Sequence, residues 1–413
     1  ALQGTLWEAG LVWEMFCGLC IYTKVFEVAE EYVMKIVVAI DSLKGSLSSL
    51  EAGEAMKDGI LKAMADAEVW VSPLADGGEG TVEALTLGMQ GRLETISVTG
   101  PLGKLVEASY GIVREKHLAV LEMSAAAGIT LVEEKDRNPL YTTTYGVGEM
   151  IKDAIQKGCR DFIIGIGGSV TNDGGSGMLQ ALGFGLSDKN GAPIAFGAKG
   201  LKDIARITDE NVLPELRECS FRIACDVTNP LCGEQGCSAV YGPQKGATQE
   251  MITEMDGWLA HFAEVAQETF ENADANQPGT GAAGGLGFAF LSFLNASLQS
   301  GITIVLEETR LEEYIRQADL VVTGEGRLDS QTVMGKAPAG VAALAQKHGK
   351  KVIAFSGCVT EDAAVCNEHG IGAFFPILRT VVPLAEAMSA EVARRNMTAT
   401  AEQVFRLIKM FQN

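Results

Sequence analysis

Five times along this chain an apolar run breaks into glycines and acids and then gives way to a helical pattern, and that repeated grammar constrains the fold more than any other feature. The runs are Ile36–Ile40 into Asp41-Ser42-Leu43-Lys44-Gly45-Ser46, Val69–Leu74 into Ala75-Asp76-Gly77-Gly78-Glu79-Gly80-Thr81, Phe162–Ile164 into Gly165-Ile166-Gly167-Gly168-Ser169-Val170-Thr171-Asn172-Asp173-Gly174-Gly175, Phe221–Cys225 into Asp226-Val227-Thr228-Asn229-Pro230-Leu231-Cys232-Gly233, and Leu320–Val322 into Thr323-Gly324-Glu325-Gly326-Arg327-Leu328-Asp329-Ser330-Gln331-Thr332. Short buried strands feeding helices through glycine turns are the units of an α/β fold with parallel sheets. Ligands of such folds sit at the carboxyl ends of the strands, so five loops of this kind predict one composite active site. In the last of them, Thr332 or Ser330 is expected to cap the following helix.

The pattern from Met34 to about Gln90 reads as βαβα, with a helix from Ser48 to about Ala65. From about Gly91 the texture changes to short strands at 93–98, 105–113 and 117–123 joined by tight turns, which is a meander. Mixed elements continue to about Ser300. Strands expected at 302–306, 320–323 and 351–355 then alternate with helices, and a last helix lies near 385–410. The simplest organisation is a doubly wound parallel-sheet domain built from residues 34–90 and 301–413, with a second mixed α/β domain inserted over 91–300. Residues 1–33 match neither and are expected to lie outside the fold. The glycine-rich stretch 276–287 is a binding loop or a hinge.

At 413 residues the chain can bury two sizeable cores. A formal net charge of −20 without a dense basic run argues against a nucleic-acid surface. The acidity also requires an anionic substrate to be met by local cations, backbone N–H groups or a metal. The apolar stretch 11–26 is broken by Glu14 and Lys24, so no membrane span is expected. Nine scattered cysteines fit a reducing cytoplasm, and Cys17 and Cys20 lack partners at zinc spacing. None of the four histidines falls in a glycine-acid loop, which disfavours a His-based nucleophile.

Gly165-Ile166-Gly167-Gly168-Ser169 lacks the continuation of a dinucleotide fingerprint and reads instead as an anion cradle, with the helix from about Gly175 offering its positive end. Tight turns for close packing are the alternative for any one loop, and five together favour a site. Met334-Gly335-Lys336-Ala337 has the Gly-Lys pair of a P-loop but not its earlier glycine or its Ser/Thr. The many carboxylates suit Mg²⁺, which takes one or two of them plus waters and phosphates. Phosphoryl transfer needs such an ion, a cationic and amide cradle, and a residue to orient the attacking hydroxyl, and the loops supply each. The candidate catalytic residues are Asp226, Lys44 and Asp41. Candidate substrate and phosphate contacts are Ser42, Gly77, Gly78, Gly167, Gly168, Ser169, Asn172, Asp173, Thr228, Asn229, Arg327, Gln331 and Lys336. Asp76, Glu325 and Asp329 are the candidate metal ligands.

Six collinear motifs resemble those of the type 1 glycerate kinases: residues 41–47, 75–81, 165–175, Ala224–Leu231, Gly242-Pro243-Gln244-Lys245-Gly246-Ala247 and 323–332. The resemblance covers Met34 to Asn413. It implies a flavodoxin-like domain interrupted by a second α/β domain, and ATP-dependent phosphorylation of D-glycerate, usually to 2-phosphoglycerate, in sugar-acid and glyoxylate catabolism. ATP and Mg²⁺ are the implied cofactors and a small molecule the partner, with a homodimer left open. A binding protein without turnover is the alternative of another class. Asp226 is favoured to orient the glycerate hydroxyl because it leaves its strand beside Thr228 and Asn229. The choice between the 2- and 3-hydroxyl stays open in the sequence.

Overall fold

The computed structural model describes residues 33–411 apart from Asp76 and Glu79. The expected extension therefore lies, but for Val33, outside the described residues, as does the metal role expected of Asp76. The described strands are, in chain order, β1 (Lys35–Ile40), β2 (Glu68–Val71), β3 (Arg92–Thr99), β4 (Leu105–Val113), β5 (Leu118–Glu122), β6 (Asp161–Gly165), β7 (Gly185–Ser187), β8 (Arg206–Thr208), β9 (Ser220–Ala224), β10 (Ser297–Gln299), β11 (Leu320–Leu328), β12 (Lys351–Val359) and β13 (Ala373–Pro376).

Two sheets carry the fold. One is five-stranded and wholly parallel, ordered β13-β12-β11-β1-β2. The other is six-stranded and ordered β10-β9-β6-β5-β4-β3; its first four strands are parallel, while β3, β4 and β5 pair antiparallel as the expected meander. The central strands β1 (Ile36 to Ile40) and β6 (Phe162 to Gly165) are buried throughout, which is why they read as unbroken apolar runs.

The expected strand at 302–306 is instead part of a helix, Gly301–Glu308. A five-residue apolar run does not distinguish a strand from a buried helix, and here Ile302 and Val305, one turn apart, face the same core. This helix packs on β9, and Thr81–Gly88 packs on β3, β4 and β5. Their Val305 and Leu85 join Val37 and Val321 of the first sheet to Val120 and Ile163 of the second in a single apolar cluster. At the end of the Gly301–Glu308 helix, the Glu308 carboxylate accepts from Lys116 Nζ at 2.8 Å and also from Arg222, fixing the helix against the second sheet. Among the described residues no helix is long and apolar enough to cross a membrane.

A second correction concerns β11. Its strand does not stop at Thr323 but runs on through Glu325 and Arg327 to Leu328, paired with a correspondingly long β12. Gly324 permits this, because a Cβ there would lie 2.0 Å from the Phe355 carbonyl oxygen. The expected loop is thus a strand extension that carries Glu325 and Arg327, two residues apart, on one face.

Candidate active site

Two of the cavities at the carboxyl ends of the sheets share, among the described residues, one residue, Lys44. The first, of about 540 Å³, lies beyond β1, β11, β12 and β13 and is lined by Asp41, Ser42, Lys44, Glu325, Arg327 and Lys336 on one side and by Ile377, Leu378, Leu384 and Met388 on the other. The second, of about 490 Å³, lies between the sheets and is lined by Lys44, Gly77, Gly78, Gly167, Gly168, Ser169, Asp226, Tyr241 and Lys245.

Local structure accounts for the place of Lys44. The Ser49 hydroxyl donates to the Ile40 carbonyl at 2.6 Å and accepts from the Leu74 N–H at 2.7 Å, so the ends of β1 and β2 are stitched to the start of the helix Ser49–Ala63. Ser48 and Glu51 close a capping box on that helix. Between Asp41 and Ser48 the chain makes a tight turn in which Leu43 N–H donates to the Leu47 carbonyl at 2.9 Å and both leucines are buried. The turn tip, Lys44-Gly45, projects outward.

Around the first cavity the charges are organised by Lys336. Its Nζ lies 3.5 Å from Glu325 Oε2 and 3.5 Å from Asp329 Oδ1. Arg327 donates to Asp329 Oδ2 through two nitrogens, at 2.9 and 2.6 Å. Burial pushes the Glu325 pKa up, although Thr332, donating to Oε1 at 2.6 Å, and Lys336 oppose the shift. Burial also works against the Asp329 charge, but Arg327, Lys336 and the Gln331 N–H outweigh it and hold that pKa below its ordinary value. Asn396, from the helix Ala390–Met410, lines the same cavity.

The sequence-derived assignments divide accordingly. Asp41, Ser42, Lys44, Glu325, Arg327 and Lys336 come together at the first cavity, and Gly77, Gly78, Gly167, Gly168, Ser169 and Asp226 at the second. Others are corrected. Asp173 is fully buried, and its carboxylate accepts from Thr144 N–H and Oγ1, both at 2.9 Å, from Gly175 N–H at 3.2 Å and from Gly177 N–H at 3.3 Å. It occupies the amino end of the short helix Ser176–Ala181, so that end is not offered to a phosphate. Asn172 is buried as well and donates to Ser238 Oγ at 2.8 Å.

Thr228 is exposed and lies outside the cavity linings. Asn229 does not face the cavity either: it donates to the Gln235 carbonyl at 2.8 Å and accepts from the Tyr241 hydroxyl at 2.7 Å, so it orients a cavity residue. Gln331 is exposed beyond the first cavity. Asp329 is buried, with its carboxylate bonded by Arg327 and 3.5 Å from Lys336, rather than open as a ligand. Thr332 does not cap the next helix, whose N-cap is Lys336; it bonds Glu325.

The 276–287 stretch lines the second cavity through Ala282 and Ala283, and Ala283, Gly284 and Gly285 all have positive φ. A Cβ at Gly284 would meet the Thr171 carbonyl oxygen at 2.1 Å, so this loop packs down on the 171–174 turn.

Among the described residues no group of three or more His, Cys, Asp or Glu side chains is arranged to hold a metal. Asp41 and Glu325 nevertheless put two hard oxygen donors on one cavity, which fits Mg²⁺ as an ion held jointly with phosphates and water.

Lys245 and Tyr241 are the site residues that the sequence reading left without a role. Lys245 sits in a 3-10 turn, Pro243–Lys245, closed by Gly246 at φ +89°. A lysine held between a proline and a left-handed glycine occupies no exposed helix face, and that was the available signal.

The family model described as the glycerate kinase family matches residues 36–409. The chain belongs to the glycerate kinase family. It is 48% identical over 372 residues to the glycerate 2-kinase of Escherichia coli K12, covering 89% of this chain and 98% of that one. A glycerate kinase of Haemophilus influenzae is 46% identical over 375 residues, covering 91% and 99%. A crystal structure described as a glycerate kinase 2 from Salmonella typhimurium LT2 superposes with a TM-score of 0.85 at 44% identity, covering 92% of this chain and all of that one. The protein is therefore a kinase with mixed α/β architecture and parallel sheets, and turnover prevails over the binding-protein alternative.

Proposed function

We propose that the chain transfers the γ-phosphoryl group of ATP to D-glycerate, giving ADP and 2-phosphoglycerate, at the cleft between a flavodoxin-like domain (34–90 and 301–413) and an inserted domain (91–300). The observation that carries this reading is the sharing of Lys44 by two cavities of different character. The first joins an apolar wall to three cations and suits a nucleotide, with its base against Ile377, Leu378, Leu384 and Met388 and its phosphates toward Lys44, Arg327 and Lys336. The second, lined by glycines and Asp226, suits a small hydroxy acid.

In this arrangement Lys44 meets the charge of the phosphoryl group as it passes between the cavities. Asp226, whose Oδ1 accepts from the Gly301 N–H at 3.3 Å, is held at the amino end of a helix and takes the proton of the attacking hydroxyl. Asp41 and Glu325 would hold Mg²⁺, which supplies charge neutralisation to the phosphates. A role in sugar-acid or glyoxylate catabolism fits this substrate, and a cytoplasmic enzyme and a homodimer are compatible with this reading.

The test is to incubate the protein with ATP, Mg²⁺ and D-glycerate, follow ADP, and resolve the product by phosphorus NMR. Turnover of roughly 1 to 100 per second is expected, with the phosphate on the 2-hydroxyl. ADP release that does not respond to glycerate would defeat the proposal, and 3-phosphoglycerate would defeat its regiochemistry. Lys44→Ala should lower the catalytic constant by about 100-fold or more.

A further inference from the structure

The cleft cavity has a buried cation that the reaction as described does not use. Lys245 is 1% exposed and lines this cavity beside Ser169, Asp226 and Tyr241. Its Nζ donates to the Thr171 carbonyl at 2.6 Å, its one side-chain hydrogen bond among the described residues. An ammonium carries three donors, so two of these have no acceptor there. No carboxylate among the described residues lies within ion-pair distance. The ionisable groups that act on it are Asp173, whose oxygens already accept four hydrogen bonds, and Cys237, which burial keeps as a neutral thiol.

Burying an ammonium is costly unless it is paired and its donors are satisfied. Holding one carbonyl does not require a charge, since a glutamine or serine could donate there without that cost. A lysine that only filled space would be better replaced by methionine. The retained charge and the two unspent donors, at the wall of a cavity suited to a hydroxy acid, are what an incoming carboxylate would satisfy.

We propose that Lys245 is the carboxylate-binding residue of the cleft, selecting acids over uncharged hydroxyl compounds, while Lys44 serves the phosphoryl group. This rests on the reading that the cleft takes D-glycerate. Burial lowers the Lys245 pKa to about 8, so the residue still carries its charge at neutral pH.

The test compares kcat/KM for D-glycerate and for glyceramide, its uncharged amide, in the wild type, Lys245→Met and Lys245→Gln. The wild type should prefer the acid, and both variants should lose about 10- to 100-fold of that preference, with turnover of the amide little changed. Glutamine can retain the Thr171 bond without the charge. In the wild type alone, KM for glycerate should rise above about pH 8 while KM for glyceramide stays level. An unaltered preference in folded variants, or parallel pH profiles for acid and amide in the wild type, overturns the role of Lys245 and leaves the kinase reading standing. Absence of D-glycerate turnover by the wild type overturns both.

Discussion

Asp173 offers the sharpest separation between a ligand contact and a structural acid, through the substitution Asp173→Asn. The carboxylate accepts only, and three of its four donors converge on Oδ2, with Gly175 N–H on Oδ1. An asparagine fits least badly with its carbonyl oxygen at the Oδ2 position. Its amide nitrogen then faces the Gly175 N–H, donor against donor, and that buried N–H is stranded at about 1 to 3 kcal/mol. The three surviving bonds lose their charge assistance, which removes roughly half the strength of each. Removing a fully buried charge offsets part of this. The net loss should be about 2 to 4 kcal/mol, enough to lower the Tm by about 2 to 5 °C in a chain of this length. Thermal denaturation reads this loss. The glycerate KM, taken well below the transition, should stay near the wild-type value. An unchanged Tm with a raised KM would refute the argument and return Asp173 to the substrate.

Further outcomes follow from the same geometry. Asp226→Asn should lower the catalytic constant by about 10² to 10⁴ with little change in magnesium requirement, which a Mg²⁺ titration of the variant checks. Glu325→Gln should instead raise the Mg²⁺ needed for half activity, because it removes one of the two hard donors at the first cavity; an unaltered requirement would leave Asp41 as the sole described candidate. Lys245 should also mark the pH dependence of stability. Its folded pKa of about 8 lies below its ordinary value of 10.5, so between these the unfolded chain binds a proton that the folded chain has released. Its unfavourable contribution is therefore full below about pH 8 and is relieved as pH rises. Chemical denaturation of wild type and Lys245→Met should show their stability difference shifting toward the wild type over that window, opposite in direction to the expected weakening of glycerate binding.

The sequence by itself determined the parallel strands, because β1, β6 and the first half of β11, Leu320 to Val322, are buried on both faces and must be apolar runs. It also determined that acids and glycines collect at their carboxyl ends, since that is where a parallel sheet leaves backbone and loops open to a ligand. The family followed from the six motifs in their order. What lay beyond it is the direction in which each polar side chain points. Asp173 and Asp226 are both acids within glycine-bearing loops after strands, yet one turns inward to four backbone and hydroxyl donors and the other lines the cleft. That difference depends on Thr144, from a segment 29 residues away. Asn229 turned from presumed ligand to support because Tyr241 reaches it across the fold. Around Lys245 the local pattern, Pro243 and Gly246, marks a turn but not its burial. Only the packing of the 171–174 turn, under the loop around Gly284, supplies the carbonyl that its ammonium holds and the cavity wall in which it sits. Local pattern sets which face of an element is apolar, whereas the partner of a polar group is chosen by contacts between segments far apart in the chain, and those exist only once the two sheets have packed.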